Sequence, residues 1–365
     1  MVGRSFFKGE ETMKISVCLI VKNEENQLGR ALSSIPQGFE TIVVDTGSTD
    51  NTVAVAKQFV TKVFDYKWNN HFADARNESI KHATGDYILI MDADEELHKD
   101  AGEALLRHVR RYPNRPSSVL IYNLSDNETT AHHAVRLFPN DSRYHYKGSI
   151  HEHLYDREEI AVTVQSDVKL NHYGYMEEQV LSKDKFNRNL NLYNAALADD
   201  PQNGYLLYQL GKLYYSTKQY QLAYEPIAAA VDLQQFDYFY YPPLLVMFGY
   251  TLKELKYSRQ AYEILEPLVD MYPAFPDLSF LLGMLAMEIG LLDEIERHFN
   301  RAMAIGDTTQ YSTVVGSGSY RAAHNLGVYY EVTGNYDEAY QFYKRAAEYH
   351  FEPSVQRLKE VSNKS

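Results

Sequence analysis

Asp86-Tyr87-Ile88-Leu89-Ile90-Met91-Asp92-Ala93-Asp94-Glu95-Glu96 is the stretch that decides how this chain folds. Ile88 to Met91 make an apolar run bounded by Gly85-Asp86 and by acids, the pattern of a short strand buried on both faces. Asp92, Asp94 and Glu95 then crowd its carboxyl end. Like charges that close repel unless a cation or hydrogen bonds offset them. Carboxyl ends of strands are also where open α/β sheets bind ligands. Hard oxygen ligands suit Mg²⁺ or Mn²⁺ carrying substrate phosphates. An Asp-x-Asp triplet alone is a weak sign, and the competing reading is a helix from Glu96 with acids against its dipole.

Composition sets the bounds. A chain of 365 residues suggests two domains, and 45% hydrophobic residues suffice for real cores. Net charge is −13 with no basic cluster, which argues against a nucleic-acid partner. No apolar run reaches membrane-spanning length and no signal-peptide core opens the chain, so a cytoplasmic protein without stable membrane insertion is expected. Residues 1–12 read as a tail. Cys18, the single cysteine, cannot form an internal disulfide and sits in an apolar strand as core. Tyrosine is in excess, 31 residues concentrated after residue 193.

Upstream, strand, loop and helix repeat. Lys14 to Val21 reads as a strand ending in Lys22-Asn23-Glu24-Glu25, and Thr41 to Val44 as a second ending in Asp45-Thr46-Gly47-Ser48-Thr49-Asp50. This is the βαβ pattern of a parallel sheet. Asp45 can accept a hydrogen bond from a nucleobase or ribose, and the neighbouring amides suit phosphate; a plain capped turn would look the same. A helix over 73–83 carries Asp74 and Arg76 near its start.

Four motifs in order over residues 13–100 resemble a family 2 glycosyltransferase with the GT-A fold. They are Ile20 to Glu25, Ile42 to Asp50, Ala75-Arg76-Asn77, and Gly85-Asp86 through Glu95. The resemblance implies a UDP-sugar donor and an inverting single displacement. It would place uracil on Asp45, with Gly47 and Ser48 in the same turn, and base and ribose along Val21, Lys22, Asn23 and Glu24. Asp74 and Arg76 would flank the nucleotide. Asp92, beside Ala93, would face ribose or metal, and Asp94 would be the main metal ligand. A cation there neutralises the diphosphate leaving group.

The segment Gly148-Ser149-Ile150-His151-Glu152-His153 places three ionisable groups in succession after a glycine turn. Inverting transfer needs a base for the acceptor's proton, and its position resembles the segment where the family carries one. Glu152 is the first candidate and His151 its neighbour or alternative. The family pattern is commonly an Asp after a Glu, so the His-Glu pair is a departure. Residues 160–170 read as a further strand, and His172 beyond it resembles the late His that completes a metal or pyrophosphate site.

After residue 176 the pattern is helical and repeats. Leu207, Leu210, Gly211 and Tyr214 precede Ala223, Ile227 and Ala230, and three similar units centre on Gly249, Gly283 and Gly327. Spacings of 38, 34 and 44 residues (249−211, 283−249, 327−283) resemble a tetratricopeptide array with two longer loops. Small residues should mark close helix approach within each unit. The expected organisation is a GT-A domain over 13–175, a linking helix over 176–200 and repeats over 201–365. Such arrays present a groove to peptides or partner chains. The dense stretch Phe236-Asp237-Tyr238-Phe239-Tyr240-Tyr241-Pro242 reads as an interaction surface, either an acceptor groove or a homodimer contact.

Taken together, these features resemble sublancin-type enzymes that glycosylate bacteriocin peptides at cysteine. The implied reaction moves a hexose, glucose first, from a UDP-sugar to a Cys or Ser side chain of a peptide or protein acceptor. The alternatives are a polysaccharide or lipid acceptor, or a nucleotide-binding scaffold without turnover.

Overall fold

A computed structural model describes residues 13–125, 128–173 and 183–362. The tail over 1–12 and the beginning of the linking helix lie outside them. The chain divides into two units, one holding 13–121 and 134–173, the other 122–133 and the helical residues from 183 onward.

The first unit is built on a mixed sheet in the order β3-β2-β1-β4-β7-β6-β11-β5. Its strands are β1 (Ile15–Val21), β2 (Glu40–Asp45), β3 (Val63–Asp65), β4 (Tyr87–Ile90), β5 (Glu95–Leu97), β6 (Ser117–Leu124), β7 (Thr129–Pro139) and β11 (Val164–His172). Strands β3, β2, β1 and β4 are parallel neighbours, as the alternating strand and helix pattern requires. At β4 the sheet turns antiparallel, where β7 pairs with it, and β5 and β11 are antiparallel too. Ile88, Leu89, Ile90 and Met91 have no exposed surface, and each such side chain contributes about 1.5–3 kcal/mol by leaving water. Helices α1 (Leu28–Ser33), α2 (Thr52–Ala56), α3 (Phe72–Lys81) and α4 (Ala101–Arg111) complete the βαβ units. Cys18 is buried core as expected, and burial pushes its thiol up to about 12. A second, small sheet orders β10 (Glu159–Ile160), β9 (His153–Asp156) and β8 (Tyr144–Lys147).

One reading of the opening stretch is corrected. Residues after Asp94 do not start a helix; Glu95–Leu97 is strand β5, and α4 begins only at Ala101. The acidic segment therefore joins two strands, and its alternation of buried and half-buried residues from Met91 to His98 is a strand's period of two.

The second unit is a helical repeat array. A long helix α5 (Lys183–Asp199) precedes four hairpins: α6 (Gly204–Ser216) with α7 (Tyr220–Asp232), α8 (Tyr241–Glu254) with α9 (Ser258–Leu265), α10 (Pro276–Ile289) with α11 (Leu292–Ile305), and α12 (Tyr320–Val332) with α13 (Tyr336–Ala347). Helix α14 (Glu352–Val361) covers the last of them. The small residues do what the spacing suggests. A methyl group on Gly249 would meet Leu265 at 2.6 Å, on Gly283 Phe299 at 2.9 Å and on Gly327 Tyr343 at 2.6 Å; on Gly211 it would strike Ile227. In all four an obstructing residue lies sixteen positions on (227−211, 265−249, 299−283, 343−327), in the partner helix of the same hairpin, and Gly249 also faces Leu281 of α10, in the next hairpin, at 2.5 Å.

Two features depart from the expected array. Strand β12 (Thr313–Val314), inside the long connection between α11 and α12, pairs antiparallel with Thr130 and Ala131 of β7. Residues 122–133 thus group with the helices rather than with the sheet domain that was to run unbroken from 13 to 175. Second, the aromatic stretch at 236–242 is half core. Tyr240 and Tyr241 are buried, the latter donating to the Val231 carbonyl at 2.8 Å, while Tyr238 and Phe239 stay exposed.

Candidate active site

Parallel β2, β1 and β4 bring their carboxyl ends side by side, and the first cluster forms where β1 and β2 end. Val21 and Asp45 are register partners, and Thr46 donates to the Val21 carbonyl from both its amide (2.9 Å) and its hydroxyl (3.1 Å). The two following loops are laced together. Asn23, in the left-handed region at φ 54°, accepts from the Thr49 amide at 2.7 Å and donates its own amide to Ser48 Oγ at 3.0 Å. The Glu24 amide donates to Thr52 Oγ1 at 2.7 Å, and Glu25 accepts from the Asn51 amide at 2.9 Å. Buried Asp45 accepts from the amides of Gly47 and Ser48, both at 3.0 Å, with Gly47 at φ 103° to make the turn. Asp45 therefore caps its own turn, whatever else it does. Lys22 is exposed beside it.

The second cluster is a row of charges that alternate in sign. Arg76 on α3 donates through Nε to Glu152 and through Nη2 to Asp92 Oδ1 at 2.9 Å. Arg136 on β7 donates to Asp92 Oδ2 at 2.7 Å and to Glu95 Oε1 at 3.3 Å. Glu95 Oε2 in turn accepts from the Asp92 amide at 2.8 Å. Burial works against the Asp92 charge, but Arg136 and Arg76 override it and hold that carboxyl well below the usual carboxylate range. Burial wins at Glu95, which is pushed up despite Arg136. The Nη1 of Arg76 is buried without a hydrogen-bond partner among the described residues.

Helix α3 positions this row. Its first amides, Phe72 and Ala73, donate to the carbonyls of Ser149 (3.0 Å) and Gly148 (3.3 Å), which pins the loop carrying His151 and Glu152. Asn77 exchanges two hydrogen bonds with the Tyr146 backbone at 2.9 and 2.8 Å. His151 has φ 51°, in the left-handed region. Asp74 lies apart from the charge row; it pairs with His71 at 3.2 Å and accepts from Asn69 at 2.7 Å at the helix start.

The third cluster joins Asp94 to His172. Strand β11 runs antiparallel to β5 with His172 opposite Glu95, and this register sets His172 Nε2 3.4 Å from Asp94 Oδ2. The Tyr173 amide donates to the Asp94 carbonyl at 3.0 Å, its hydroxyl donates to Glu96 at 2.7 Å, and the Arg30 guanidinium lies 3.6 Å over its ring. Two ligands at about 2.1 Å from one cation, roughly at right angles, stand about 3 Å apart, so this oxygen and nitrogen fit one ion whose remaining positions phosphate and water would fill. Among the described residues no group of three such side chains gathers.

Most nominated residues thus fall into these three groups at neighbouring strand ends, with buried Ala93 between Asp92 and Asp94. Arg136 was missed. Its only signal is a cation inside the apolar run Ala134-Val135-Arg136-Leu137-Phe138, where a strand's solvent face reads the same way.

Residues 16–164 match the profile of glycosyl transferase family 2, and residues 320–349 that of a tetratricopeptide repeat. A TPR repeat-containing protein of Synechococcus elongatus is 32% identical over 217 residues, which are 57% of this chain and 54% of that protein. The SPbeta prophage-derived glycosyltransferase SunS of Bacillus subtilis is 29% identical over 213 residues, 56% of this chain and 50% of that one. The chain spans about half the length of these relatives. Among solved structures, MamA is 22% identical, with 48% of this chain and 94% of that chain covered at a TM-score of 0.39.

Proposed function

We propose, from the premise that residues 16–164 are a family 2 glycosyltransferase domain joined to tetratricopeptide repeats, that this chain is an inverting glycosyltransferase. Its donor is a UDP-sugar, with glucose the first choice, and its acceptor is a Cys or Ser side chain of a peptide or protein recruited by the repeats. The observation that carries the reading is the set of three clusters at adjacent strand ends: a laced loop pair around Asp45, a fixed Asp92, and Asp94 facing His172.

In this reading uracil and ribose lie along Val21 to Glu24 and the turn at Asp45, Gly47 and Ser48, while Asp92 accepts from a sugar or ribose hydroxyl. Asp94 and His172 would hold Mg²⁺ or Mn²⁺, the carboxylate giving the hard oxygen that suits either ion. When bound, that ion supplies positive charge beside the departing diphosphate. The bond from the anomeric carbon to the diphosphate oxygen breaks as the acceptor sulfur or oxygen bonds the same carbon from the opposite face. UDP leaves with the bonding electrons, and the acceptor's proton passes to Glu152 or His151. A thiol makes the lighter demand on that base, since it ionises near neutral pH and a serine hydroxyl does not. Exposed Tyr238 and Phe239 are the part of the aromatic stretch still available to an acceptor or to a second copy of the chain.

Among the described residues no helix is long and apolar enough to cross a membrane, which favours the peptide acceptor over a lipid one. Incubation with UDP-glucose, Mg²⁺ or Mn²⁺ and candidate peptides, read by intact mass, tests the proposal. One hexose gained on a peptide, and lost in Asp94→Ala, supports it. Transfer to lipid or polysaccharide alone favours that acceptor class, and UDP binding without turnover on any acceptor favours a scaffold.

A further inference from the structure

We infer that Arg136 is a positioning residue of the donor pocket, which together with Arg76 presets the Asp92 carboxylate for the nucleoside before any cation arrives. The inference rests on the nucleotide-sugar reading of the pocket. Arg136 sits in the middle of β7, beside fully covered Leu137 and Phe138, where an unpaired guanidinium is unfavourable. Its pairing is directed. One bond goes to Asp92 Oδ2 at 2.7 Å and one to Glu95 Oε1 at 3.3 Å, while the other Glu95 oxygen accepts from the Asp92 amide at 2.8 Å. Asp92 is thus gripped at both ends: Arg136 and Arg76 each hold one carboxylate oxygen, and Glu95 holds the backbone. The side chain of Asp92 nevertheless keeps 29% of its surface exposed, so a ligand hydroxyl can reach it.

Charge counting separates the two halves of the donor site. Asp92, Glu95 and Glu152 carry three negative charges against two from Arg76 and Arg136, a balance of −1 when all are ionised. The acids of this row are therefore held together by guanidinium groups and need no metal ion to coexist. Asp94 and His172 face each other at 3.4 Å beside this row, with the His172 imidazole also favouring the Glu95 charge. Nucleoside recognition at Asp92 is then independent of cation, and cation matters only for the diphosphate. The unmatched Nη1 of Arg76 leaves one buried donor in the same row for a ligand oxygen.

Titration of UMP in the presence of a chelator isolates the nucleoside half. Arg136→Met is expected to weaken UMP about tenfold, in the range of second-layer mutations around a binding group, and Arg136→Lys, which keeps the charge but not the fork, about threefold. The Asp92→Asn background removes the carboxylate through which Arg136 acts, so adding Arg136→Met there should cost less than about threefold. A role confined to fold stability would lower the melting temperature without this dependence on Asp92. Folded Arg136→Met that binds UMP as the wild type does, or an equal loss in both backgrounds, overturns the inference. Should Arg136→Met not fold, unchanged UMP affinity in Arg136→Lys overturns it instead. A wild type that binds neither UMP nor UDP would remove the nucleotide-sugar reading itself, and this inference with it.

Discussion

Asp94, midway along the domain's sequence, and His172, at its end, meet with Oδ2 and Nε2 3.4 Å apart, because β11 runs back along β5 in the register that sets His172 opposite Glu95. Each is a metal ligand in the proposed function. Asp94→Ala and His172→Ala should each weaken UDP in manganese buffer by about 10–100-fold, and leave UMP affinity under chelator within about twofold. Calorimetric titration under the two conditions measures this. Equal losses in both would place these residues elsewhere than on the cation.

Glu152 and His151 can be separated by the same approach. Removing the group that takes the acceptor's proton lowers turnover by about 10²–10⁴-fold while donor binding stays intact. Glu152→Gln preserves shape and a hydrogen-bond acceptor for Arg76, so single-turnover rates with bound donor report the base alone. If Glu152→Gln transfers at the wild-type rate and His151→Ala does not, the histidine is the base.

The interhelical glycines give a stability prediction with a sign that must be worked out. Alanine is worth about 1 kcal/mol more than glycine inside a helix, whereas overpacking costs about 1–3 kcal/mol. At Gly283 the added methyl would meet three Phe299 ring atoms at 2.9–3.0 Å, so the cost should prevail. Gly283→Ala is expected to lower unfolding free energy by up to about 2 kcal/mol, and Phe299→Leu in the same chain should recover part of it. Denaturant melts of the two singles and the double give the coupling.

Asp277, at the start of α10, is buried and holds the β12 connection, accepting from the Val314 amide at 2.7 Å, from Ser317 Oγ at 3.3 Å and from the Thr313 hydroxyl. Burial, only partly offset by these donors, raises its carboxyl to about 6 from an ordinary 3.8. A folded value above the unfolded one means its contribution is fully present below pH 3.8 and is lost as pH rises through 6. The wild type should therefore lose up to about 3 kcal/mol across that window relative to Asp277→Asn. Parallel unfolding slopes for the two proteins between these pH values would contradict the assignment.

Much of this was open to reading because it obeys local rules. The strands at 15–21, 40–45 and 87–90 are apolar runs without alternation, as sheet strands covered on both faces must be. Asp45 and Asp92 were visible since each follows such a run, whereas His172 ends the alternating strand β11 and was nominated by the family resemblance. The repeats declared themselves through glycine spacing. What escaped was non-local. Nothing near Arg136 announces a partner 44 positions away in Asp92, and a two-residue strand at 313–314 is too short to show a period, leaving only an overlong spacing between Gly283 and Gly327. Tyr240 and Tyr241 were misjudged because aromatic density alone does not say which rings find a carbonyl or a neighbouring ring inside.

The sixteen-residue lock also bears on how such a chain can change over generations. Each hairpin carries a bare position and a bulky side chain that fills it, and at Gly249 the next hairpin adds Leu281 to the fastening. Whole hairpins can then be duplicated or deleted as cassettes, and a mutation that spoils one fastening can be repaired within the same cassette. Reach and grip of the helical half can drift by recombination while the residues around Asp92 keep their sequence.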